Sequence, residues 1–275
     1  MKLLHYKKNG VVKLAVKNGN GIFDLPCKLD DLFAMDAEQL EKLENDAANT
    51  APVDESRLVY APAVPRPGKI LCIGLNYYAH GKEIKMNIPS TPTIFSKFNN
   101  ALTAHNDEIK LPEAARKFDY EAELVIVIGK KGKNIAKEEA LSYVFGYTVG
   151  NDFSARDLQL LTGQWLLGKS CDQFAPLGPC IVTADGIDPQ NLDIGCRVNG
   201  ELVQNSNTEN MIFDCAFLIS YISKFITLEP GDVIFTGTPS GVILGKAEAD
   251  QNWLKAGDEV EVFVEKIGSL KNKLI

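Results

Sequence analysis

Histidine and paired cysteines are scarce in this chain. Its 275 residues include three histidines and six cysteines. The cysteines are scattered and form no C-x-x-C pair, which argues against a zinc site of the common spacing and against a disulfide framework. The pattern is typical of buried thiols in a reducing compartment. Cytoplasmic location is therefore the default expectation.

Long apolar runs and an excess of basic residues are also missing. No stretch is long enough to span a bilayer, and residues 1–8 contain no signal-peptide core, so we expect no membrane partner. Acidic residues outnumber basic ones by 36 to 29, for a formal net charge of -7. This argues against nucleic acid, because phosphate binding needs a basic surface. The net charge does not exclude a small anionic substrate, because such a substrate needs only a local cluster of Lys, Arg or metal.

The rest of the composition is that of an ordinary globular protein, with 45% hydrophobic residues. Residues 61–68 contain three prolines and a glycine, which marks a linker or domain boundary. We place the boundary inside this segment. It separates a small N-terminal domain, residues 1–64, from a larger domain, residues 65–275.

Short β-like runs dominate the larger domain. Turn residues separate predicted strands at 123–128, 143–149, 179–184, 194–198, 232–236 and 258–264. Helical patterns occur at 36–48, 137–143, 154–162 and 210–224. Asn199-Gly200 predicts a tight hairpin turn. This spacing favours an α+β, mostly β fold over regular βαβ winding.

Three acidic residues alternate in Asp119-Tyr120-Glu121-Ala122-Glu123, which opens an apolar run. In a strand, Asp119, Glu121 and Glu123 share one face. Neighbouring carboxylates repel each other unless water or a cation intervenes, and their oxygens are the ligands that hard divalent cations prefer. The strand is therefore a candidate metal site. A solvated strand face explains the same alternation, and it is the commoner case for a strand judged alone.

Further candidates follow a likely strand that ends near Asn151. Asp152 lies at a strand-to-helix corner, where functional side chains are common. Arg156 and Gln159 are three residues apart and share one helix face, and Arg can grip a carboxylate with two hydrogen bonds. Judged alone, Asp152 is equally well explained as a helix-flanking acid and Arg156 as an exposed cation.

Two other segments carry candidate binding groups. Lys169 follows an apolar segment, and is either an anion-binding group in a pocket or a surface lysine with a buried stem. Thr238 lies in a loop of small residues at a strand end, which is either an anion-binding loop or a plain tight turn. His80 and Glu83 face the same way if their segment is helical. A carboxylate can orient an imidazole base, although a surface pair is the commoner explanation.

Taken together, these segments resemble the fumarylacetoacetate hydrolase family from about Lys69 to the C-terminus. Any one motif is weakly specific, whereas the whole set in family order is highly specific. The motifs are Gly74-Leu75-Asn76-Tyr77, Asp119-Tyr120-Glu121-Ala122-Glu123, Gly150-Asn151-Asp152, Ser154-Ala155-Arg156-Asp157-Leu158-Gln159, Gln164-Trp165 with Lys169-Ser170, Asp172-Gln173-Phe174-Ala175-Pro176-Leu177-Gly178-Pro179, Arg197-Val198-Asn199-Gly200, Glu229-Pro230-Gly231-Asp232 and Thr236-Gly237-Thr238-Pro239-Ser240-Gly241-Val242.

The resemblance implies a mixed β-sandwich or β-roll catalytic domain, usually in a homodimer, with a divalent cation. That cation is most often Mg²⁺, with Mn²⁺ or Ca²⁺ as alternatives. Asp119 receives no ligand role and is either a support behind the ligands or solvated. The implied site residues are the metal ligands Glu121, Glu123 and Asp152, the general-base pair His80 and Glu83, the catalytic Lys169, and the substrate-binding Arg156, Gln159 and Thr238.

The resemblance also implies an enzyme acting on a small 2-oxo acid. Our leading hypothesis is Mg²⁺-dependent hydrolysis of a C–C bond in an acylpyruvate-like 1,3-diketo acid, through a pyruvate enolate stabilised by the cation. The alternatives are an isomerase or decarboxylase of 2-oxo or 2-hydroxy-diene dicarboxylates, and a catalytically silent binding protein. Phe98-Asn99-Asn100 and His105 depart from the family's usual pattern, which leaves the substrate entrance open.

Overall fold

The computed structural model describes residues 1–83 and 89–275, and strands provide most of its regular structure. The strands are β1 (Lys2–Lys8), β2 (Val11–Asn18), β3 (Gly21–Asp24), β4 (Val59–Tyr60), β5 (Ile70–Gly74), β6 (Thr93–Lys97), β7 (Leu102–Thr103), β8 (Glu108–Ile109), β9 (Phe118–Asp119), β10 (Ala122–Ile128), β11 (Val144–Asn151), β12 (Ser154–Ala155), β13 (Ala175–Thr183), β14 (Asp193–Val198), β15 (Glu201–Asn207), β16 (Val233–Phe235), β17 (Glu259–Val264) and β18 (Gly268–Leu274).

Helices are short and lie between the strands. The α-helices are α1 (Leu29–Leu32), α2 (Ala37–Ala47), α3 (Tyr78–Glu83), α4 (Arg156–Gln159), α5 (Leu166–Lys169) and α6 (Cys215–Ser223). Short 3₁₀ helices add Glu55–Arg57, Asn99–Ala101, Lys137–Tyr143, Thr208–Asn210, Ile243–Gly245 and Glu248–Asp250. No helix in the described parts of the chain is both long and apolar enough to cross a membrane.

Two large sheets organise the described residues. The larger has the order β3-β2-β1-β13-β11-β10-β16-β5-β6, with β4 beside β1 and β7 beside β13. The smaller has the order β15-β14-β17-β18-β8, and it packs on β10, β11 and β13. A separate pair joins β9 to β12. The predicted α+β, mostly β fold is confirmed, and the six strands predicted in the larger domain are present with shifted ends.

Strand β10 lies in the middle of the larger sheet, between β11 and β16, and both of its faces are covered. Leu124 and Ile126 join one core with Val262 of the smaller sheet. Val125 and Val127 point to the opposite core. Burying a side chain of this size stabilises the fold by about 1.5–3 kcal/mol, so the alternation fixes the register of β10. Any polar side chain at its beginning is thereby drawn into the interior.

The N-terminal segment extends the larger sheet. Strand β1 pairs antiparallel with β13, with Leu3 opposite Ile181. Leu3 and Leu32 of α1 share a core with Ile181 and with Val125 of β10. The helix predicted at 36–48 is confirmed as α2, where the Asp36 carboxylate accepts the Gln39 N–H. The domain boundary at residues 64–65 stays a prediction.

The helix predicted over 154–162 is much shorter than expected, because tertiary contacts take its capping groups. Ser154 belongs to β12, and its hydroxyl donates to the Asp152 carbonyl. The Asp157 carboxylate accepts the Arg116 N–H instead of capping the helix. The helix predicted over 210–224 is α6, and residues 137–143 form a 3₁₀ helix.

Candidate active site and metal centre

Three carboxylates meet where β10 begins and β11 ends. Ala122 pairs with Asn151, which places Glu121 across from Asp152, and the Asp152 N–H donates to the Glu121 carbonyl at 3.0 Å. Glu121, Glu123 and Asp152 each offer one oxygen, and these oxygens lie within 4.8 Å of one another. All three residues are buried, so the interpretation of a solvated face is wrong.

Glu123 is the member of this trio whose charge is least compensated. Burial, together with the charges of Asp152 and Glu121, raises the pKa of Glu123 well above its usual range. Among the described residues, the recorded hydrogen-bond partner of the Glu123 carboxylate is the Gly237 N–H, 2.7 Å from Oε2. A buried carboxylate with so little compensation, beside two more oxygen donors, suits a hard cation such as Mg²⁺, Mn²⁺ or Ca²⁺.

Lys169 is buried against two members of the trio. Its Nζ donates to Glu121 Oε2 at 2.6 Å and to Asp152 Oδ2 at 2.7 Å. Burial alone would lower the pKa of Lys169, but the charges of Asp152 and Glu121 outweigh it and raise the pKa. The lysine is therefore a fixed ammonium inside the site, and the interpretation of a surface lysine is wrong.

Arg156 forms a second fixed cation behind Glu121. Its Nη2 donates to Glu121 Oε1 at 2.7 Å, its Nε to Asp119 Oδ2 at 2.9 Å, and its Nη1 to Gln159 Oε1 at 2.9 Å. Burial would raise the pKa of Glu121, but Lys169 and Arg156 overcome this and hold the pKa below its usual range. The interpretation of Arg156 as an exposed helix cation is wrong.

Asp119 lies outside the metal trio. The chain leaves regular strand geometry at Tyr120, so Asp119 belongs to the separate strand β9. Its buried carboxylate accepts the N–H groups of Ile243 and Leu244 at 2.9 and 3.0 Å, besides bonding Arg156. Solvation of Asp119 is excluded, and the residue holds Arg156 behind the site.

Lys97 is a site residue that sequence analysis missed. Its buried Nζ donates to Asp152 Oδ1, and to the Phe153 carbonyl at 3.0 Å. Lys97 ends β6, where a lysine is equally compatible with an exposed strand end. The contact joins residues 55 positions apart, so no local pattern reveals it. Asp152 is thus bonded by two buried ammonium groups.

Seven of the nine predicted site residues line one cavity of about 100 Å³. They are His80, Glu121, Glu123, Arg156, Gln159, Lys169 and Thr238. Apolar side chains form the remaining wall, chiefly Ile73, Leu75, Phe95, Leu160, Trp165 and Leu244. The other two predicted residues lie next to this lining. Asp152 accepts a hydrogen bond from Lys169, and Glu83 lies beside His80. The structure therefore brings the predicted set together.

His80 and Glu83 lie on α3, so the helical condition on which their pairing depended is met. His80 is buried, so this is not a surface pair. Its Nδ1 lies 3.6 Å from Glu83 Oε2, longer than a hydrogen bond. Both Glu83 oxygens accept the Gly241 N–H, at 3.0 and 3.1 Å. Glu83 therefore anchors α3 to the loop that carries Thr238.

The two departures from the family pattern lie away from the reacting groups. The Asn100 side chain donates to the Ser170 carbonyl at 3.0 Å and so supports the turn after Lys169. His105 accepts the Lys271 N–H at Nδ1, 3.1 Å away, and is absent from the described cavity lining. Both residues support the structure around the site.

Known proteins are similar to this chain over most of its length. The model for the fumarylacetoacetate (FAA) hydrolase C-terminal domain matches residues 69–275. The chain belongs to the fumarylacetoacetate hydrolase family. It is 43% identical to oxaloacetate tautomerase fahd2, mitochondrial, of Xenopus laevis, over 96% of this chain and 86% of that protein. It is 47% identical to oxaloacetate tautomerase Fahd2a, mitochondrial, of Rattus norvegicus, over 83% and 73% respectively.

A solved structure shows the same fold. The fumarylacetoacetate hydrolase from psychrophilic Exiguobacterium antarcticum superposes with a TM-score of 0.86 at 33% identity, covering 100% of this chain and 99% of that one. The two curated family members are named as mitochondrial proteins, which does not support the cytoplasmic expectation for this chain. The homodimer implied by the family resemblance stays a prediction.

Proposed function

We propose that this protein is a metal-dependent tautomerase that interconverts the keto and enol forms of a small 2-oxo dicarboxylic acid of the oxaloacetate type. This is closer to the isomerase alternative than to the hydrolase hypothesis. The observation that carries it is the carboxylate trio, two members of which line the cavity that also contains His80 and Lys169. The names of the relatives from Xenopus laevis and Rattus norvegicus support the choice of substrate.

Glu121, Glu123 and Asp152 would hold the cation in this proposal. When bound, a divalent cation supplies Lewis-acid stabilisation of negative charge on a substrate oxygen. Lys169 adds a permanent positive charge beside it. Two of its N–H groups donate to Glu121 and Asp152, which leaves a third for the substrate.

His80 is the proposed acid–base group. Its imidazole takes a proton from C3 of the keto acid, and the C–H electron pair becomes the C2=C3 double bond. The imidazolium then gives this proton to the former keto oxygen, so the enol forms and His80 returns to its starting state. Glu83, 3.6 Å from the ring, stabilises the imidazolium. The apolar wall limits water around the reacting carbon.

Two assays run side by side test the proposal. The decay of enol-oxaloacetate is followed by ultraviolet absorbance with Mg²⁺ or with chelator, while pyruvate is measured in the same samples. We expect Mg²⁺-dependent acceleration of enol decay without matching pyruvate release. An enol decay no faster than in buffer with Mg²⁺ would overturn the proposal, and stoichiometric pyruvate would identify a decarboxylase.

Hydrolysis of acylpyruvates is the second candidate, because the apolar wall offers space for an acyl chain. His80 would then take a proton from water instead of carbon. Replacing His80 with Ala should lower tautomerisation and hydrolysis by about 10²–10⁴-fold, since both need a proton acceptor. Decarboxylation of oxaloacetate needs none and should fall much less. Equal loss of all three activities would contradict the role of His80 as a base.

A further inference from the structure

Gln204 is a buried polar residue that connects the smaller sheet to the active site. It lies on β15 with 1% of its surface exposed. Its Oε1 accepts the Ala122 N–H at 3.0 Å, between two residues of the carboxylate trio. Its Nε2 donates to Thr238 Oγ1 and to the Pro239 carbonyl, each at 2.9 Å. Both polar atoms of the amide therefore have partners in the site.

The partners of this amide determine its orientation. The Ala122 N–H can only donate, and the Pro239 carbonyl can only accept. Nε2 must therefore lie on the side of Thr238 and Pro239, and Thr238 Oγ1 accepts a hydrogen bond there. A threonine hydroxyl carries one hydrogen of its own, which has no recorded acceptor within residues 1–83 and 89–275. Thr238 lines the cavity, so its O–H is left to donate to a bound molecule.

Close backbone packing brings Gln204 and Thr238 together. Gly241, with φ of +108°, closes the loop of Thr238 against β15. A Cβ atom there would overlap the Val203 carbonyl and lie 3.1 Å from Gln204 Cγ. This close approach of the loop to β15 brings Thr238 within hydrogen-bonding distance of Gln204.

We infer that Gln204 is a positioning residue, which makes the Thr238 hydroxyl a donor toward a carboxylate or keto oxygen of the substrate. The inference rests on the proposed function, because it assigns one contact of the 2-oxo acid. Gln204 does not touch the substrate. It acts by donating to one of the two lone pairs of Thr238 Oγ1, which turns the hydroxyl hydrogen away from Gln204 and toward an acceptor-only ligand in the cavity. A hydrogen bond to a charged group of this kind is worth about tenfold or more in affinity.

The test uses oxalate, a stable analogue of the planar 2-oxo acid, bound to the Mn²⁺-loaded protein and measured by calorimetry. Gln204→Met and Thr238→Val should each weaken oxalate binding by about tenfold. The double variant should be no weaker than Thr238→Val alone, because both changes remove the same donor. With oxaloacetate, the loss should be larger in KM than in kcat. The affinity for Mn²⁺ alone should not change.

Matched variants separate positioning from general destabilisation. Gln190 also bonds the backbone, to Thr208 O and Cys215 N–H, and neither it nor these partners belong to the described cavity lining. Gln190→Met should lower thermal stability while leaving oxalate affinity intact. If Gln204→Met does not fold, Gln204→Glu keeps the shape and the Ala122 bond but cannot donate to Thr238 when ionised. It should weaken oxalate binding at least as much.

Two results would overturn this inference and leave the proposed function standing. One is that the losses from Gln204→Met and Thr238→Val multiply in the double variant. The other is that Mn²⁺ affinity falls as far as oxalate affinity, because Gln204 would then act through the carboxylate trio and Ala122. Failure of the wild-type Mn²⁺ protein to bind oxalate would instead refute the proposed function, and this inference with it.

Discussion

At the scale of single residues, the most specific expectation concerns Glu123. Its pKa is raised by burial and by Asp152 and Glu121, so this carboxylate has the most to gain from a cation. Replacing Glu123 with Ala should abolish Mg²⁺-dependent turnover, with a loss of at least about 100-fold, while the fold is retained. Turnover assays with circular dichroism measure both. The exposed Glu201→Ala is the control, and full activity of Glu123→Ala would refute the metal role.

Lys97 is expected to compensate the charge of Asp152. Replacing Lys97 with Met leaves a buried carboxylate with less compensation and should destabilise the metal-free protein by about 3–5 kcal/mol. A divalent cation bound at Asp152 should then restore a large part of this loss. We therefore expect Mg²⁺ or Mn²⁺ to raise the melting temperature more in this variant than in the wild type.

A second ion pair, between the partly exposed Lys69 and the buried Asp232, provides the control for Lys97. Lys69 Nζ lies 2.7 Å from Asp232 Oδ2, outside the cavity lining. Lys69→Met should also destabilise the protein, but metal should raise its melting temperature no more than it raises that of the wild type. Equal metal-induced shifts in both variants would show that Lys97 compensates no ligand of the cation.

At the scale of elements, the position of α3 depends on the absence of a side chain at Gly245. A Cβ atom there would overlap Glu83 Cγ and Cδ. Gly245→Ala should push Glu83 away from the Gly241 N–H and move His80, with a fall in kcat/KM of about 10–100-fold and little change in metal affinity. Gly19→Ala, where nothing lies within 4 Å of the added Cβ, is the control. An unaffected kcat/KM would show that α3 tolerates the displacement.

The elements also show where sequence analysis succeeds and where it stops. The alternation in β10 and the Asn199-Gly200 turn are local, so they predict structure correctly. The interruption at Tyr120 is not local, because Asp119 bonds the backbone of Ile243 and Leu244, more than 120 residues away. The same limit hid Lys97, whose partner Asp152 follows strand β11. The candidate ligands, Arg156 and Lys169 came from motif order, whereas the role of Lys97 needed the fold.

At the scale of the whole molecule, stability should fall on mild acidification. Burial lowers the pKa of His105, whose Nδ1 accepts the Lys271 N–H, and burial also lowers the pKa of His5. The unfolded chain, with histidine pKa values of about 6.5, then binds more protons than the folded one. This contribution to stability is complete above about pH 6.5 and is lost as the pH falls below it.

Chemical denaturation at several pH values measures this slope. His105→Asn can keep an acceptor for the Lys271 N–H without titrating, so it should reduce the pH dependence below about pH 6.5. The dependence should not vanish, because His5 still titrates. A slope identical to that of the wild type would contradict the role of His105.

The loop that follows β16 links the candidate metal site to the candidate site for the organic acid. Gly237 and Thr238 are consecutive, yet the first bonds Glu123 and the second faces the cavity. If Glu123 held a cation, its bond to the Gly237 N–H would also fix the peptide unit that presents the Thr238 hydroxyl. Coupling between two bound species is reciprocal, so the organic acid must retain the ion by the same factor that the ion retains the acid. When metal is scarce, the loaded fraction of the protein would rise with the supply of its own substrate.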